Sequence, residues 1–208
     1  MDILNLLELE AAAKPHLSQT AFDYYVGGAD DELSVLENRQ GFARLALQYR
    51  VLRGIGKRTL STTLFGQRLS MPVLLAPTAF HKLAHPEGEN ATAQAATNAD
   101  IIMVLSTSSS TSLEDVRASQ PNLNMWFQLY LFQDIGISLE VLNRAKAVDA
   151  KALVLTVDAP VLGRRERDIR NSFTLPSGIQ MANFKHDLPE TNGSSLSLHA
   201  AQHFKPDL

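Results

Sequence analysis

Four short apolar runs alternate with helical patterns between residues 73 and 157, and this alternation limits the fold more than any other feature. The runs are Val73-Leu74-Leu75-Ala76, Ile101-Ile102-Met103-Val104-Leu105, Trp126-Phe127-Gln128-Leu129-Tyr130 and Leu153-Val154-Leu155-Thr156-Val157. Helical spacing between them predicts helices over about Glu87–Asn98, Leu113–Ser119 and Ile137–Val148. A strand that is apolar throughout needs cover on both faces, which a parallel sheet flanked by helices supplies. Four such βα units fit two architectures: a small doubly wound sheet, or half of an eight-stranded barrel whose full length is about 250 residues. The doubly wound dinucleotide site requires a Gly-x-Gly-x-x-Gly turn after its first strand. Here that turn is Ala76-Pro77-Thr78-Ala79-Phe80, without a glycine. The missing glycines favour the barrel.

The flanking segments read differently. Residues 1–50 are helical in pattern, with Ser18 placed to cap a helix from Gln19 and Gly27-Gly28 placed to end it in the left-handed conformation. Asp30 or Asp31 is expected to cap a third helix from Glu32 to about Leu45, with Leu33, Leu36 and Phe42 on one side. Thr62–Leu64 and Arg68–Leu69, joined through Gly66, predict a small hairpin. Beyond residue 173 turn chemistry dominates, as in Pro176-Ser177-Gly178 and Thr191-Asn192-Gly193, with one short amphipathic stretch at Leu196–His203. The expected division is therefore a helical segment 1–50, the βα units 51–173, and a mobile loop 174–208 after the fourth strand.

Composition removes several function classes. Nineteen Lys and Arg against 22 Asp and Glu leave a net charge of −3, which argues against a strongly basic nucleic-acid binder, and no nucleic-acid partner is expected. There is no cysteine, hence no disulfide framework, thiolate metal site or cysteine nucleophile. No apolar run approaches the ~20 residues that span a bilayer, and Met1–His16 is neither a signal-peptide core nor a basic transit peptide. The expected location is cytoplasmic, with no membrane partner.

In barrels and open α/β sheets, ligands sit at the carboxyl ends of the strands. Those ends carry Pro77-Thr78, then Ser106-Thr107-Ser108, then Gln128 and Tyr130, then Thr156 and Asp158. Residues two apart share one face of a strand, so each of the last two pairs points the same way. Polar side chains at equivalent ends of otherwise apolar strands predict one shared site. The arginines of Gly163-Arg164-Arg165-Glu166-Arg167-Asp168-Ile169-Arg170 suit an anionic ligand. For Arg164, Arg167 and Arg170 a solvated helix face paired with Glu and Asp is the preferred reading. His81-x-x-x-His85 has the spacing of helical zinc ligands, but Lys82 replaces the needed Glu and Pro86 follows, so no metal is assigned. The hydroxyl-rich Ser106–Ser110 lacks a nucleophile elbow.

Five motifs in order and in register carry a resemblance. They are Phe22-Asp23-Tyr24-Tyr25-x-x-Gly28-Ala29, Ala76-Pro77-Thr78-Ala79, His85-Pro86-Glu87-Gly88-Glu89, Trp126-Phe127-Gln128-Leu129-Tyr130 and Leu155-Thr156-Val157-Asp158-Ala159-Pro160-x-Leu162-Gly163-x-Arg165-Glu166-x-Asp168. Together they resemble the FMN-dependent 2-hydroxy-acid oxidases, the glycolate oxidase and L-lactate oxidase family, over residues 1 to about 175. The resemblance implies an α/β fold that is the first half of a (β/α)8 TIM barrel, four βα units preceded by N-terminal helices. It implies FMN at the strand ends, with Pro77, Thr78 and Ala79 along the flavin and Ser106, Gln128 and Thr156 hydrogen-bonded to its ring or ribityl chain. It implies Tyr24 and Arg165 as ligands of the substrate carboxylate and Tyr130 on the substrate hydroxyl or carboxylate. Asp158 would stabilise the charged form of a catalytic histidine. The implied reaction removes the hydroxyl proton and a hydride equivalent of an (S)-2-hydroxy acid. O2 then takes the electrons and gives hydrogen peroxide.

Two departures qualify the resemblance. Ser108 stands where many members carry a bulky residue lining the substrate side chain, which tilts the expectation from glycolate toward L-lactate. The family's catalytic His, second Arg, flavin Lys and Gly-rich phosphate site belong to the second half of the barrel, and none of the six histidines here matches that base. The expectation is a fragment, or one of two complementary chains, inactive and poorly soluble alone and a tetramer or octamer when completed by a C-terminal half. The alternatives are a non-catalytic half-barrel association module and a flavin dehydrogenase with another electron acceptor.

Overall fold

The computed structural model describes residues 3–54, 56–158 and 163–184. Its centre is a four-stranded parallel sheet, β3 (Leu74–Leu75), β4 (Ile102–Leu105), β5 (Met125–Leu129) and β6 (Leu153–Leu155), in sequential order. The register pairs Leu74 with Ile102, Val104 with Trp126, and Gln128 with Val154. Helices α4 (Glu89–Ala99), α5 (Leu113–Ser119) and α6 (Ile135–Ala147) are the crossovers. This is the expected run of βα units, because each apolar run must be covered on both faces and only crossover helices cover the outer one.

Strand alternation sorts the core into two layers. Met103, Leu105, Met125, Phe127 and Leu129 pack against Ala93, Ala96, Leu113, Val116, Val141 and Ala145 of the helices. Ile102, Val104 and Trp126 face the other way, onto Leu69. That inner face is closed at its lower end by the hairpin β1 (Thr62–Leu64) and β2 (Gln67–Leu69), which turns through Gly66 at φ +77. The Trp126 indole N–H donates to Gln67 Oε1 at 2.6 Å, fixing the hairpin under the sheet. Among the described residues β3 and β6 are paired on one side only, and Leu153 and Leu155 on β6 are each 43% exposed. Unpaired edges of this kind invite another strand.

The N-terminal helices are α1 (Leu6–Ala13), α2 (Gln19–Val26) and α3 (Leu33–Ala43), and α7 (Glu166–Arg170) follows the sheet. Ser18 caps α2 as expected, accepting from Ala21 N at 3.1 Å. Two expectations are corrected. Gly27 ends α2 in an extended conformation, not a left-handed one, and glycine is needed for space: a Cβ there would lie 2.6 Å from Asp23 O. Neither Asp30 nor Asp31 caps α3; Glu32 occupies the cap position at φ 56 without a capping side-chain bond, its carboxylate being engaged elsewhere. Leu33, Leu36 and Phe42 are all exposed. The part of the expected mobile loop beyond residue 184, including Leu196–His203, lies outside the described residues. Residues up to 184 are anchored, since buried Asn183 accepts from Leu113 N at 3.0 Å and donates to Ser109 Oγ at 2.9 Å. No helix among the described residues is long and apolar enough to cross a membrane.

Candidate functional site at the strand ends

Continuing the inner-face alternation past Val104, Trp126 and Val154 leads to Ser106, Gln128 and Thr156. The apolar column thus becomes polar where the strands end. Gln128 is 1% exposed, and both ends of its amide are used. Its Oε1 accepts from Thr107 N at 3.0 Å and Ser106 Oγ at 3.4 Å, while its Nε2 donates to Thr156 Oγ1 at 2.9 Å. Thr107, which the sequence places at this strand end without a role, locks the same strands by donating from Oγ1 to Gln128 O at 2.6 Å and accepting from Tyr130 N at 3.3 Å. Ser108 follows, half-buried, its N–H donating to Ser106 Oγ at 3.1 Å. Three strands therefore present one continuous line of neutral polar groups.

Tyr130 and Asp158 stand one pleat further out, the tyrosine half-buried and the aspartate exposed. Burial raises the Tyr130 phenol, and the charge of Asp158 raises it further, which places the two within electrostatic reach. Tyr24 comes to the same end from α2. Its ring stacks on Phe173 at 4.8 Å and 8°, and Arg165 lies 5.3 Å above it. Burial pushes its phenol up to about 12, with Arg165 pulling down and Asp168 and Tyr130 pushing up. A phenol held so firmly protonated is a hydrogen-bond donor at any working pH. Arg165 donates from Nε to Asp168 Oδ2 at 2.6 Å and from its other nitrogens to Gly27 O at 3.3 Å and Tyr24 O at 2.5 Å.

The third group is Pro77-Thr78-Ala79 after β3. Pro77 and Thr78 are exposed, and among the described residues the Thr78 hydroxyl bonds locally, to Ala76 O at 3.4 Å. Tyr25 donates its hydroxyl to Phe80 O at 2.7 Å, holding α2 against this turn. Glu89, quoted in the sequence only as part of a motif, joins it to the next turn. Its fully buried carboxylate accepts from His81 N at 3.1 Å, Ser110 N at 2.7 Å and Thr111 Oγ1 at 2.7 Å. Phe80 N also donates to Ser108 O at 3.1 Å. The turns bearing Ala79 and Ser108 are thereby zipped together.

The remaining arginines pair as expected, but Arg167 does so across the fold. It forks onto Glu32 with two bonds of 2.7 Å and reaches Asp23 Oδ1 at 3.4 Å, while Asn171 donates to Asp23 Oδ2 at 2.8 Å. These bonds hold both carboxyls below their ordinary range: Glu32 chiefly through Arg167, and Asp23 chiefly through the Gln19 and Asn171 amides. The clasp ties α2, which carries Tyr24, and the start of α3 to α7. Arg167→Ala is expected to speed amide exchange along Gln19–Val26 while leaving Ile102–Leu105 and Met125–Leu129 unchanged. Hydrogen-exchange mass spectrometry reads this, and equal protection of α2 in both proteins would refute the clasp. Both carboxyls titrate below their unfolded values, so the clasp is intact above the carboxylate range and is lost as pH falls through it.

Comparison with known proteins decides the family. Residues 13–206 match the FMN-dependent dehydrogenase family. The chain belongs to that family. It is 49% identical to an L-lactate oxidase of Nostoc sp., over 99% of this chain and 58% of the relative. It is 42% identical to the glycolate oxidase of Spinacia oleracea, over 97% of this chain and 55% of the relative. Among solved structures it superposes on mandelate oxidase with (S)-4-hydroxymandelic acid, with a TM-score of 0.92, 37% identity, and coverage of 99% of this chain and 59% of the other. The chain spans a little over half the length of these proteins, and the fold is the corresponding first part of a TIM-barrel flavoenzyme. FMN is the cofactor of FMN-dependent dehydrogenases, and the donor set fits it. A flat ring edged with carbonyls and N–H groups calls for neutral, fixed donors and acceptors, which Ser106, Gln128 and Thr156 provide along one line.

Proposed function

We propose that this chain supplies the N-terminal half of an (S)-2-hydroxy-acid oxidase, acting on L-lactate or glycolate with O2 as electron acceptor and hydrogen peroxide as product. The observation that carries the proposal is the inner-face line Ser106–Gln128–Thr156, with Tyr130 and Asp158 one pleat beyond it. Bound FMN supplies the two-electron acceptor for oxidation at C2. The chain's own residues do the rest. Ser106, Gln128 and Thr156 hold the ring edge, and the backbone of Pro77–Ala79 lies along it. Tyr24 donates its phenol proton to the substrate carboxylate, and the two N–H groups of Arg165 left over from its three bonds add positive charge there. Tyr130 hydrogen-bonds the substrate hydroxyl. Asp158 stabilises the imidazolium that a histidine from the second half forms on taking the hydroxyl proton. Ser108 leaves room for a methyl group, which favours L-lactate.

The exposed Leu153 and Leu155 and the one-sided pairing of β3 and β6 support completion of the sheet by further strands, whether from the same polypeptide or another. Residues 1–50, 51–173 and 174–208 are proposed as the helical segment, the FMN-binding βα units and the loop after the fourth strand. The test is flavin absorbance with this chain alone and with the barrel-completing half, followed by peroxide assay on L-lactate and glycolate. Flavin retention and peroxide release from L-lactate are expected only with both halves. A completed barrel that binds no flavin, or that binds it and oxidises no 2-hydroxy acid, would refute the proposal.

A further inference from the structure

The roles proposed above leave the buried acid Asp168 unused. Asp168 lies on α7 with its side chain 1% exposed. Its Oδ2 takes the Arg165 Nε proton, whereas its Oδ1 is, among the described residues, a buried side-chain oxygen with no hydrogen-bond partner. A buried carboxylate so sparsely bonded is costly, so its charge must be answered by what it touches. It touches Arg165. The neighbouring acids Asp23 and Glu32 are taken by Arg167, and among the described residues no other acid pairs with Arg165. The guanidinium is thus held from three sides: Asp168 at Nε, and the Gly27 and Tyr24 carbonyls at its two terminal nitrogens. Only the Asp168 contact is charged, and only it engages Nε. A guanidinium has five N–H groups, so two remain after these bonds.

We infer that Asp168 is a positioning residue: by gripping Arg165 at Nε it fixes the guanidinium against the Tyr24 ring and keeps the two unused N–H groups available to a substrate carboxylate. The inference rests on the substrate-binding roles proposed for Tyr24 and Arg165, and it adds the residue that sets their mutual geometry. Asp168→Ala removes the anchor, and Asp168→Asn keeps an acceptor of the same shape without the charge. The test is run on the completed, FMN-bound protein and reads two quantities: exchange of the Arg165 Nε proton by NMR, and the steady-state constants for L-lactate. Exchange is expected to be slow in the wild type, at least about tenfold faster in Asp168→Ala, and intermediate in Asp168→Asn. KM is expected to rise about tenfold or more in Asp168→Ala, the loss of roughly one charge-assisted hydrogen bond, with kcat changing less. A merely structural acid would lower thermal stability without ordering the three proteins by Nε exchange. Equal exchange in wild type and Asp168→Ala overturns the inference, and so does faster exchange with KM unchanged. If Asp168→Ala does not fold, wild type against Asp168→Asn gives the same comparison in both readouts. A wild-type protein that makes no peroxide sinks the oxidase reading instead, and the exchange comparison remains readable without substrate.

Discussion

Replacement of Glu89 by alanine is expected to destabilise the protein by about 3–5 kcal/mol, a large share of the roughly 5–15 kcal/mol that holds an ordinary domain folded. The carboxylate is fully buried and, among the described residues, forms no salt bridge. Its charge is met by hydrogen bonds from His81 N, Ser110 N, Ser110 Oγ and Thr111 Oγ1. Alanine strands at least two backbone N–H groups in the interior and leaves a hole among them, each orphaned donor costing roughly 1–3 kcal/mol. Glutamine fills the hole but turns an N–H2 toward donors, so Glu89→Gln is expected to recover only part of the loss. Urea unfolding at neutral pH measures both, and a cost below about 1 kcal/mol for alanine would contradict the assignment. The pH dependence has a definite sign. Burial alone would raise this carboxyl, but the bonds from Ser110 and Thr111 outweigh it and hold it below its ordinary value. Its stabilisation is therefore present above the unfolded carboxylate value and is lost as pH falls through the folded one. Glu89→Gln should flatten that acid limb.

What the sequence disclosed and what it hid divide along contact distance. The strands were legible because each is a continuous apolar run, and α5 occupies Leu113–Ser119 as expected. The strands are shorter than the apolar runs at their ends: Ala76, Tyr130, Thr156 and Val157 lie beyond the regular ladder, where the chain leaves the sheet. The line Ser106–Gln128–Thr156 was legible too, since period-two alternation carries polar positions out along the face set by Val104, Trp126 and Val154. The acidic cluster was not. Local rules assign Asp30 and Asp31 to a helix cap, but Glu32 is drawn to Arg167, 135 residues away. Glu89 reads as an ordinary first-turn helix residue, and only its bonds to a turn 21 residues on reveal its work. Asn183 sits in a segment whose composition signals a loop, yet it fastens the turn after β4 from 74 residues away. No pattern within a window of a dozen residues encodes such pairings.

The largest effect on the site itself should come from Gln128→Leu. Leucine approximates the volume but offers no polar atom, so the buried Thr107 N–H loses its acceptor and the Thr156 and Ser106 hydroxyls lose their common partner. The fold should weaken by about 2–4 kcal/mol, less than for Glu89→Ala because a neutral group is removed and hydroxyls can turn to other acceptors. FMN affinity should fall by about a hundredfold, through loss of the one Gln128 N–H left for the ring edge and of the orientation it gives the Ser106 and Thr156 hydroxyls, at ~1.5 kcal/mol for each of these two effects. Thr156→Val separates the two consequences. It removes the acceptor for Gln128 Nε2 while leaving the Thr107 bond in place, so stability should hold better than flavin affinity. Flavin titration of the completed barrel, paired with urea unfolding of the flavin-free protein, gives both numbers. If Gln128→Leu bound FMN as tightly as the wild type, the inner-face line would be a strand-locking device only, and the flavin edge would have to rest on Pro77–Ala79 instead.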